Sequence, residues 1–335
     1  MSVQTNAPQC PNVAAFLRDV ICSGDNRQYD YLRNWLAWKM QNPLSKPGVA
    51  IVLIGEQGTG KGTFGYLMMD VFGKHHSMLI QDTEQLLGKF LGHLEGKLIL
   101  FVDEAIFGRD PRTKSKYKSL ITEPTMLIEH KGHTPRQVQS HFAVIVASNE
   151  LTAVPVEPGD RRATVIEVSS GRKNGDAYFT NLRRAWVNGE REEFIRHLLA
   201  RDVSGFNPRI PLNTVAKSAV ASATADDATG FWSHVVKTGR LPGGAFGFKE
   251  HANGHDWYGL PTTILRKELH DAFRVWGKDN GIRSHVTEAE LTRRVGQLCS
   301  ERQPYRQSSG ARERGFTYPT LDRCEQLLNV ALGGA

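Results

Sequence analysis

Cysteine is scarce and scattered. The four present, Cys10, Cys22, Cys299 and Cys324, form no Cys-x-x-Cys pair, so neither a zinc site nor a disulfide framework is indicated, and a reducing compartment such as the cytoplasm suits the chain. Long apolar runs are missing as well. No stretch approaches the roughly 20 residues that a bilayer-crossing helix needs, so no membrane partner is expected. Residues 1–12 carry neither a basic n-region nor an apolar h-region, so no secretory leader is expected either. No internal repeat is visible, which argues against a solenoid. Acidic side chains are outnumbered, 35 against 42 basic ones, for a net charge of +7 over 335 residues. A basic balance suits a nucleic-acid partner but does not specify one. The length allows about two domains with a real core.

What is present is organised around residues 49–64. An apolar run, Ala50 to Ile54, predicts a buried strand, and it runs into Gly55, Gln57, Gly58, Thr59, Gly60, Lys61, Gly62 and Thr63, with helix expected from about 60 to 72. Strand, glycine-rich turn and helix are the parts of a phosphate-binding loop, in which freed N–H groups and the helix N-terminus cradle the β- and γ-phosphates and the lysine adds a point charge. Gly55, Gly60 and Lys61 have the Walker A spacing. The hydroxyl that normally follows the lysine is replaced by Gly62, which leaves Thr63 as the substitute for holding Mg²⁺.

A second apolar run, Leu98 to Val102 after Lys97, ends in Asp103 and Glu104, a buried parallel strand delivering two carboxylates to the sheet edge where ligands bind in open α/β folds. Asp103 is the candidate for Mg²⁺ and Glu104 for the general base that activates water. A third run, 142–149, ends in Asn149, placed to orient that water or simply to turn the chain. Asp160-Arg161-Arg162 precedes a strand at 163–168; either arginine could reach the nucleotide of a neighbouring subunit. Between the second and third strands come a basic helix (Arg109, Arg112, Lys114, Lys116, Lys118) and two strands, 125–130 and 138–142, joined by Lys131-Gly-His133-Thr-Pro-Arg136. This basic hairpin tip reads equally as a grip on a phosphate backbone and as a solubilising turn.

Elsewhere, apolar spacing predicts two helices over 12–42 broken at Gly24-Asp25-Asn26, a helix at 82–95 with Leu86, Leu87, Phe90 and Leu91 inward, and another at 178–201. His75 and His76 fit a helix C-terminal surface rather than a metal site, since no other ligands converge. Composition shifts toward Ser, Ala, Gly and Pro over 202–256, with a helix near 213–237. Helices are expected at 262–277 and at 287–301, the latter capped by Thr287 with Glu290. A basic turn and a short strand at 315–318 follow, and Arg293, Arg294, Arg302, Arg306, Arg312 and Arg314 are candidates for DNA phosphates.

With Gly-x-x-Gly-x-Gly-Lys-Gly-Thr, Phe-Val-Asp-Glu, Lys-Gly-His, Ala-Ser-Asn and Gly-Asp-Arg-Arg in that order, the chain resembles a superfamily 3 helicase, and more closely the helicase part of phage and plasmid primase-helicases. The resemblance is good over about residues 12–200 and loose beyond. It implies an α/β fold with a P-loop AAA+-like ATPase core at 49–205, an N-terminal helical segment at 1–48, a linker at 206–260 and a winged-helix-like domain at 261–335. It implies ATP and Mg²⁺ as ligands, single-stranded DNA as partner, and a homo-oligomeric ring, commonly a hexamer, in the host cytoplasm if phage-encoded. By the same resemblance Lys61 and Thr63 take the phosphate and metal positions, and Asp103 and Glu104 the Walker B pair. Asn149 takes the sensor position, Arg161 or Arg162 the trans-acting finger, and Lys131 with His133 the central-channel hairpin. No primase or polymerase motif is legible, so that activity is expected on a separate chain or not at all. Two rivals stay open: a nucleotide kinase, whose loop is also Gly-x-Gly-Lys-Gly-Thr, and a non-catalytic DNA-binding assembly protein stabilised by ATP.

Overall fold

The computed structural model describes residues 10–104, 111–157, 160–223, 226–242, 257, 259–282, 286–306 and 314–332. The expectations that involve Arg109, Arg312 and residues 243–256 therefore lie outside the described residues, as does the Arg112 side chain. The chain divides into two compact units, Met1–Pro155 with Asp160–Val220, and Val156–Gly159 with Ala221–Ala335.

In the first unit, α1 (Pro11–Ala15) runs into a π-helical turn, Phe16–Ile21, and α2 (Asn26–Gln41) follows. The break falls where Gly24 and Asp25 predict it: the Asp25 carboxylate accepts the amides of Arg27 and Gln28 and starts a new helix. Next come β1 (Ala50–Ile54), α3 (Lys61–Phe72), β2 (Ser77–Ile80), α4 (Glu84–Leu87), β3 (Ile99–Asp103) and α5 (Pro111–Thr122). After these are β4 (Thr125–Ile128), β5 (Arg136–Gln139), β6 (Ala143–Ser148), β7 (Ala163–Glu167), α6 (Asp176–Ala185) and α7 (Arg191–Ala200), and α8 (Val215–Ala223) spans the division.

Five strands form one parallel sheet in the order β2-β3-β6-β1-β7. β1 and β6 are buried at every position, which is why they read as unbroken apolar runs: a central parallel strand is covered on both faces. On one face Ile51 and Leu53 of β1, Phe101 of β3 and Ile145 of β6 pack with Phe16, Leu17, Trp35, Leu36, Phe64, Met68 and Phe179 from the helices. Two buried polar groups anchor this layer. The Lys39 ammonium donates to the carbonyls of Pro43, Ser45 and His141 at 2.6–3.1 Å, tying the end of α2 to the approach to β6. The Glu190 carboxylate accepts from the amides of Asn12 and Val13 and so caps α1. α5 and the hairpin β4–β5 lie in the connection from β3 to β6, and among the described residues β4 and β5 pair only with each other.

Several sequence expectations need correction. The helix expected at 82–95 is a single turn, α4, because Gly88 turns extended (ψ −169°); a 3₁₀ turn at Gly92–Leu94 follows, and Phe90 is exposed. The helix at 178–201 is broken at Gly189, whose φ is +117°. The second hairpin strand lies two residues earlier than the apolar residues place it, at Arg136–Gln139. The helix near 213–237 is two, α8 and α9 (Asp227–Thr238), the second capped by Asp226 accepting from the Thr229 amide.

The second unit carries α9, β8 (Thr262–Leu265), α10 (Arg266–Asp279), α11 (Glu288–Leu298), β9 (Gln303–Arg306), β10 (Arg314–Tyr318) and α12 (Leu321–Ala331). Its three strands form an antiparallel sheet in the order β8-β10-β9. The helix expected from 262 therefore starts only at Arg266; the β-branched Thr262-Thr263-Ile264 before it makes a strand. Trp232, Trp257 and Tyr318 are buried together, and the Phe231 ring meets Phe273 and Trp276 edge-on while these two stack on each other.

Two glycines of the β1–α3 turn have opposite constraints. Gly60 has φ +102°, and a Cβ there would stand 2.8 Å from Phe179 Cε1 and 3.2 Å from Phe16 Cε2. Gly62 is helical, and its nearest neighbour would be Asp103 Oδ2 at 4.0 Å. Gly60→Ala is expected to destabilise the fold by roughly 2–4 kcal/mol, from a left-handed backbone and an overpacked contact. Gly62→Ala is expected to be neutral or to stabilise by up to ~1 kcal/mol. Urea unfolding of the two variants checks the contrast.

Candidate functional site

Three neighbouring strands end side by side. Asp103 of β3 pairs with Ala147 of β6, and Ser148 of β6 pairs with Ile54 of β1. The next residues, Glu104, Asn149 and Gly55, therefore stand at one edge of the sheet. The Glu104 amide donates to the Ala147 carbonyl (3.0 Å) and the Gly55 amide to the Ser148 carbonyl (3.2 Å). Strand spacing is ~4.8 Å, so β1 and β3 lie on the order of 10 Å apart with Asn149 between them. Asn149 and Glu104 are exposed, and Glu104 has φ +59°, a left-handed backbone that a glutamate adopts at a cost.

Lys61 opens α3 and is nearly buried. Its ammonium donates to the Gly55 carbonyl (2.6 Å) and the Glu56 carbonyl (2.7 Å), so the turn closes on its own lysine. Burial pushes the Lys61 ammonium below the ordinary lysine range, against the opposing pull of Asp103, Glu104 and Glu56. Burial also pushes the Asp103 carboxyl up, helped by Glu104 and opposed by Lys61. Gln57 and Gly58 face solvent, whereas Thr59 is buried with its hydroxyl donating to the Glu56 carbonyl (2.8 Å), so only its backbone remains to meet a ligand. The helix position that faces Asp103 is Gly62. Thr63, half-buried, projects about 100° further round the helix.

Arg161 and Arg162 stand elsewhere. The Arg162 carbonyl accepts from the Ala50 amide at the start of β1 (2.8 Å), so both arginines sit at the opposite edge of the sheet, roughly 16 Å of strand from Gly55. They differ from each other. The Arg162 amide is held by the buried Asp160 carboxylate (2.7 Å), its guanidinium lies 3.8 Å from the same group, and it is half-buried; Arg161 is exposed.

The hairpin tip is a tight turn, with the His133 amide donating to the His130 carbonyl (2.9 Å) across Gly132 at φ +83°. Its base is braced by Arg136 on Glu95 (2.6 Å) and Lys89 on Glu129 (3.2 Å). Lys131 and His133 are exposed, and among the described residues Lys131 has no acidic partner.

In the second unit the candidate arginines separate. Arg302 stacks on the Phe316 ring (3.8 Å) over Gly296 and is part of the packing, and Arg294 pairs with Asp226 (3.2 Å). Arg293 is exposed, as are Arg306 and Arg314, which stand opposite each other on β9 and β10. One contact escaped sequence reasoning altogether. The turn after β7 lies along the glycine-rich loop, with the Asn174 amide donating to the Gly58 carbonyl (3.1 Å) and Lys173 paired with Glu56. Lys-Asn-Gly at 173–175 is a turn signal, but nothing in it names the loop it meets.

Residues 53–162, which include the three strand ends and the hairpin, match the model of a family of unknown function, DUF5906. The chain is 30% identical over 194 residues to the DNA primase-polymerase of Nitratiruptor phage NrS-1, an alignment that spans 57% of this chain and 27% of that protein. The chain thus covers about a quarter of that relative's length. Its fold is similar to the apo structure of the NrS-1 C-terminal region, with a TM-score of 0.65 and 23% identity over 93% of this chain and 76% of the other. The A form apo structure of that region gives a TM-score of 0.62 at 22% identity with the same coverage.

Proposed function

We propose that this chain is an ATP-driven motor of the superfamily 3 kind, acting in the replication of phage DNA by moving along single-stranded DNA as a ring of identical subunits. The observation that carries the reading is the placement of Lys61, the Asp103–Glu104 pair and Asn149 on three adjacent strand ends, with an exposed arginine at the far edge. The likeness to a phage DNA primase-polymerase supports the replicative setting. No primase or polymerase motif is legible, and we place that activity outside these 335 residues. The second unit, with a three-stranded antiparallel sheet among helices, is read as the winged-helix-like part. There Arg293, Arg306 and Arg314, rather than the stacked Arg302, are the residues free to meet phosphates.

Each step follows from a residue's position. Lys61 must release the Gly55 and Glu56 carbonyls to meet a phosphate oxygen, and the amides of residues 57–62 then face the same charge. Asp103 fits a cation site: it is a half-buried carboxylate beside a second acid, the arrangement that a divalent ion offsets. It would hold Mg²⁺, which when bound supplies positive charge to the phosphates; the helix position that faces it is Gly62, so the Thr63 hydroxyl would join it only after a shift of the turn. Glu104 takes the proton from the attacking water, and Asn149 orients that water by hydrogen bonding. Arg161 cannot reach Lys61 of its own subunit from the opposite edge, so it serves a neighbour's site. Arg162, held by Asp160, fixes the approach to β7. Lys131 at the hairpin tip grips the DNA backbone through charge, a contact largely independent of sequence and sensitive to salt.

Glu104→Gln is expected to lower ATP turnover at saturating single-stranded DNA by roughly 10²–10⁴-fold while ATP affinity stays within a few-fold. Unchanged turnover would remove the catalytic assignment. Doping wild-type protein with Arg161→Ala subunits should depress ATPase activity more steeply than the mutant fraction, since fingers supplied in trans contribute roughly 10³–10⁵ in rate. Arg162→Ala should act chiefly on unfolding temperature. A strictly proportional loss on doping would argue against a shared site. Lys131→Ala should reduce unwinding and single-stranded DNA affinity with nucleotide binding intact; a loss of ATP binding instead would mean that the hairpin serves the nucleotide site.

A further inference from the structure

The proposed mechanism leaves one charged group beside the glycine-rich loop unused. The turn 169–175 is pinned in place: the Val168 amide donates to the Ile54 carbonyl (2.8 Å), the Ser169 amide to the Val20 carbonyl (2.9 Å) and the Asn174 amide to the Gly58 carbonyl (3.1 Å). Asn174 Oδ1 occupies the space that a Cβ on Gly58 would take, so this turn and the loop fit only because residue 58 is glycine. From this fixed backbone Lys173 reaches Glu56, whose main-chain carbonyl accepts the Lys61 ammonium. Two ammonium groups thus bracket one loop residue, Lys61 on its carbonyl and Lys173 on its carboxylate. The carboxylate is held below the usual glutamate range by Lys173 first, with Lys61 adding to it. Both partners of the ion pair are largely in solvent, at 42% and 62% exposure, so the pair is weak and readily exchanged.

An acid inside a loop that cradles phosphate opposes the ligand. An ammonium on a rigid turn, one side-chain length away, suits a multiply charged phosphate better than a single exposed carboxylate. We propose that Lys173 is a second phosphate-binding residue of this site, parked on Glu56 when the loop is empty and transferred to a phosphate oxygen when a nucleoside triphosphate binds. The inference rests on the reading of residues 55–63 as a nucleotide loop. Its consequence is selectivity by phosphate number: the exchange favours a triphosphate and gives a monophosphate, which reaches fewer of the loop's cations, little.

A double-mutant cycle on the full chain decides between this and a simpler role in which Lys173 only neutralises Glu56. Equilibrium binding of MgATP and of AMP is measured for wild type, Lys173→Ala, Lys173→Arg, Glu56→Gln, the Lys173→Ala/Glu56→Gln double variant and Lys61→Ala. Lys173→Ala is expected to weaken MgATP binding about tenfold or more, the effect of a lost hydrogen bond to a charged group, and AMP binding far less. Glu56→Gln should strengthen MgATP binding, and Lys173→Arg should retain most of it. The deciding comparison is made in the Glu56→Gln background: a persisting loss of about tenfold on removing Lys173 supports direct contact. If Lys173→Ala is silent there, Lys173 is only a screen and the proposal is overturned. MgATP binding unaffected by Lys61→Ala would instead remove the nucleotide-loop reading itself, a failure distinct from the first. The ion pair is exposed, so unchanged thermal unfolding of the variants confirms that binding, not folding, is being read.

Discussion

An ammonium group drawn out of water must be compensated, and around Lys61 that requirement organises the first unit. Two carbonyls of the turn, Gly55 and Glu56, accept hydrogen bonds from it, and the carboxylates of Asp103, Glu104 and Glu56 offset its charge from further away. For those groups to meet, three strands must end in register, and they do so because β3, β6 and β1 are adjacent and parallel. The glycines between Gly55 and Lys61 let the chain turn back over the sheet edge, while Phe16 and Phe179 close over Gly60 from the helical layer. The site is thus an outcome of sheet order rather than of one motif.

The same sheet separates polar groups that lie close to one another in the sequence. Asn149 and Arg161 are neighbours along the chain, yet they stand at opposite ends of the strands, one beside the glycine-rich turn and one at the start of β7. A parallel sheet has two chemically different edges, and loops alternate between them. Arg161 is exposed at the edge away from the turn, so it is not committed to the site of its own chain, which is the condition that the proposed sharing between copies requires.

Much of this was legible in the residues. Unbroken apolar runs read correctly as β1, β3 and β6 because buried parallel strands lack the polar alternation that would blur them. The acids after β3 and the amide after β6 were expected at the ligand-binding edge of a parallel sheet, but the order of the strands was not legible. Short or half-exposed elements were not legible. β2 is four residues long and follows a helix end; β8 is a Thr-rich run just before helical spacing begins; the leucines at 86, 87 and 91 look helical until Gly88 turns extended. Nor could the sequence separate Arg161 from Arg162, since the difference lies in the buried carboxylate of Asp160. Lys173 escaped notice because its partner, Glu56, lies 117 residues away, and nothing local to either residue records the contact.

The position of β1 at the heart of the sheet has a consequence for how the molecule is made. Ile51 pairs with Ile145 on one side and with Thr164 on the other, both far downstream. Such contacts are slow to form, because a long stretch of chain must be closed before either gives any return. On the ribosome the apolar segment Ala50–Ile54 therefore emerges early and waits for partners that are translated much later, a window in which an uncovered strand is open to mispairing with other chains. The glycine-rich turn that follows is held by its own lysine from the start, but its contacts with Ser148 and Asn174 can form only after those residues have been made, so the turn is completed with the last strands of the sheet.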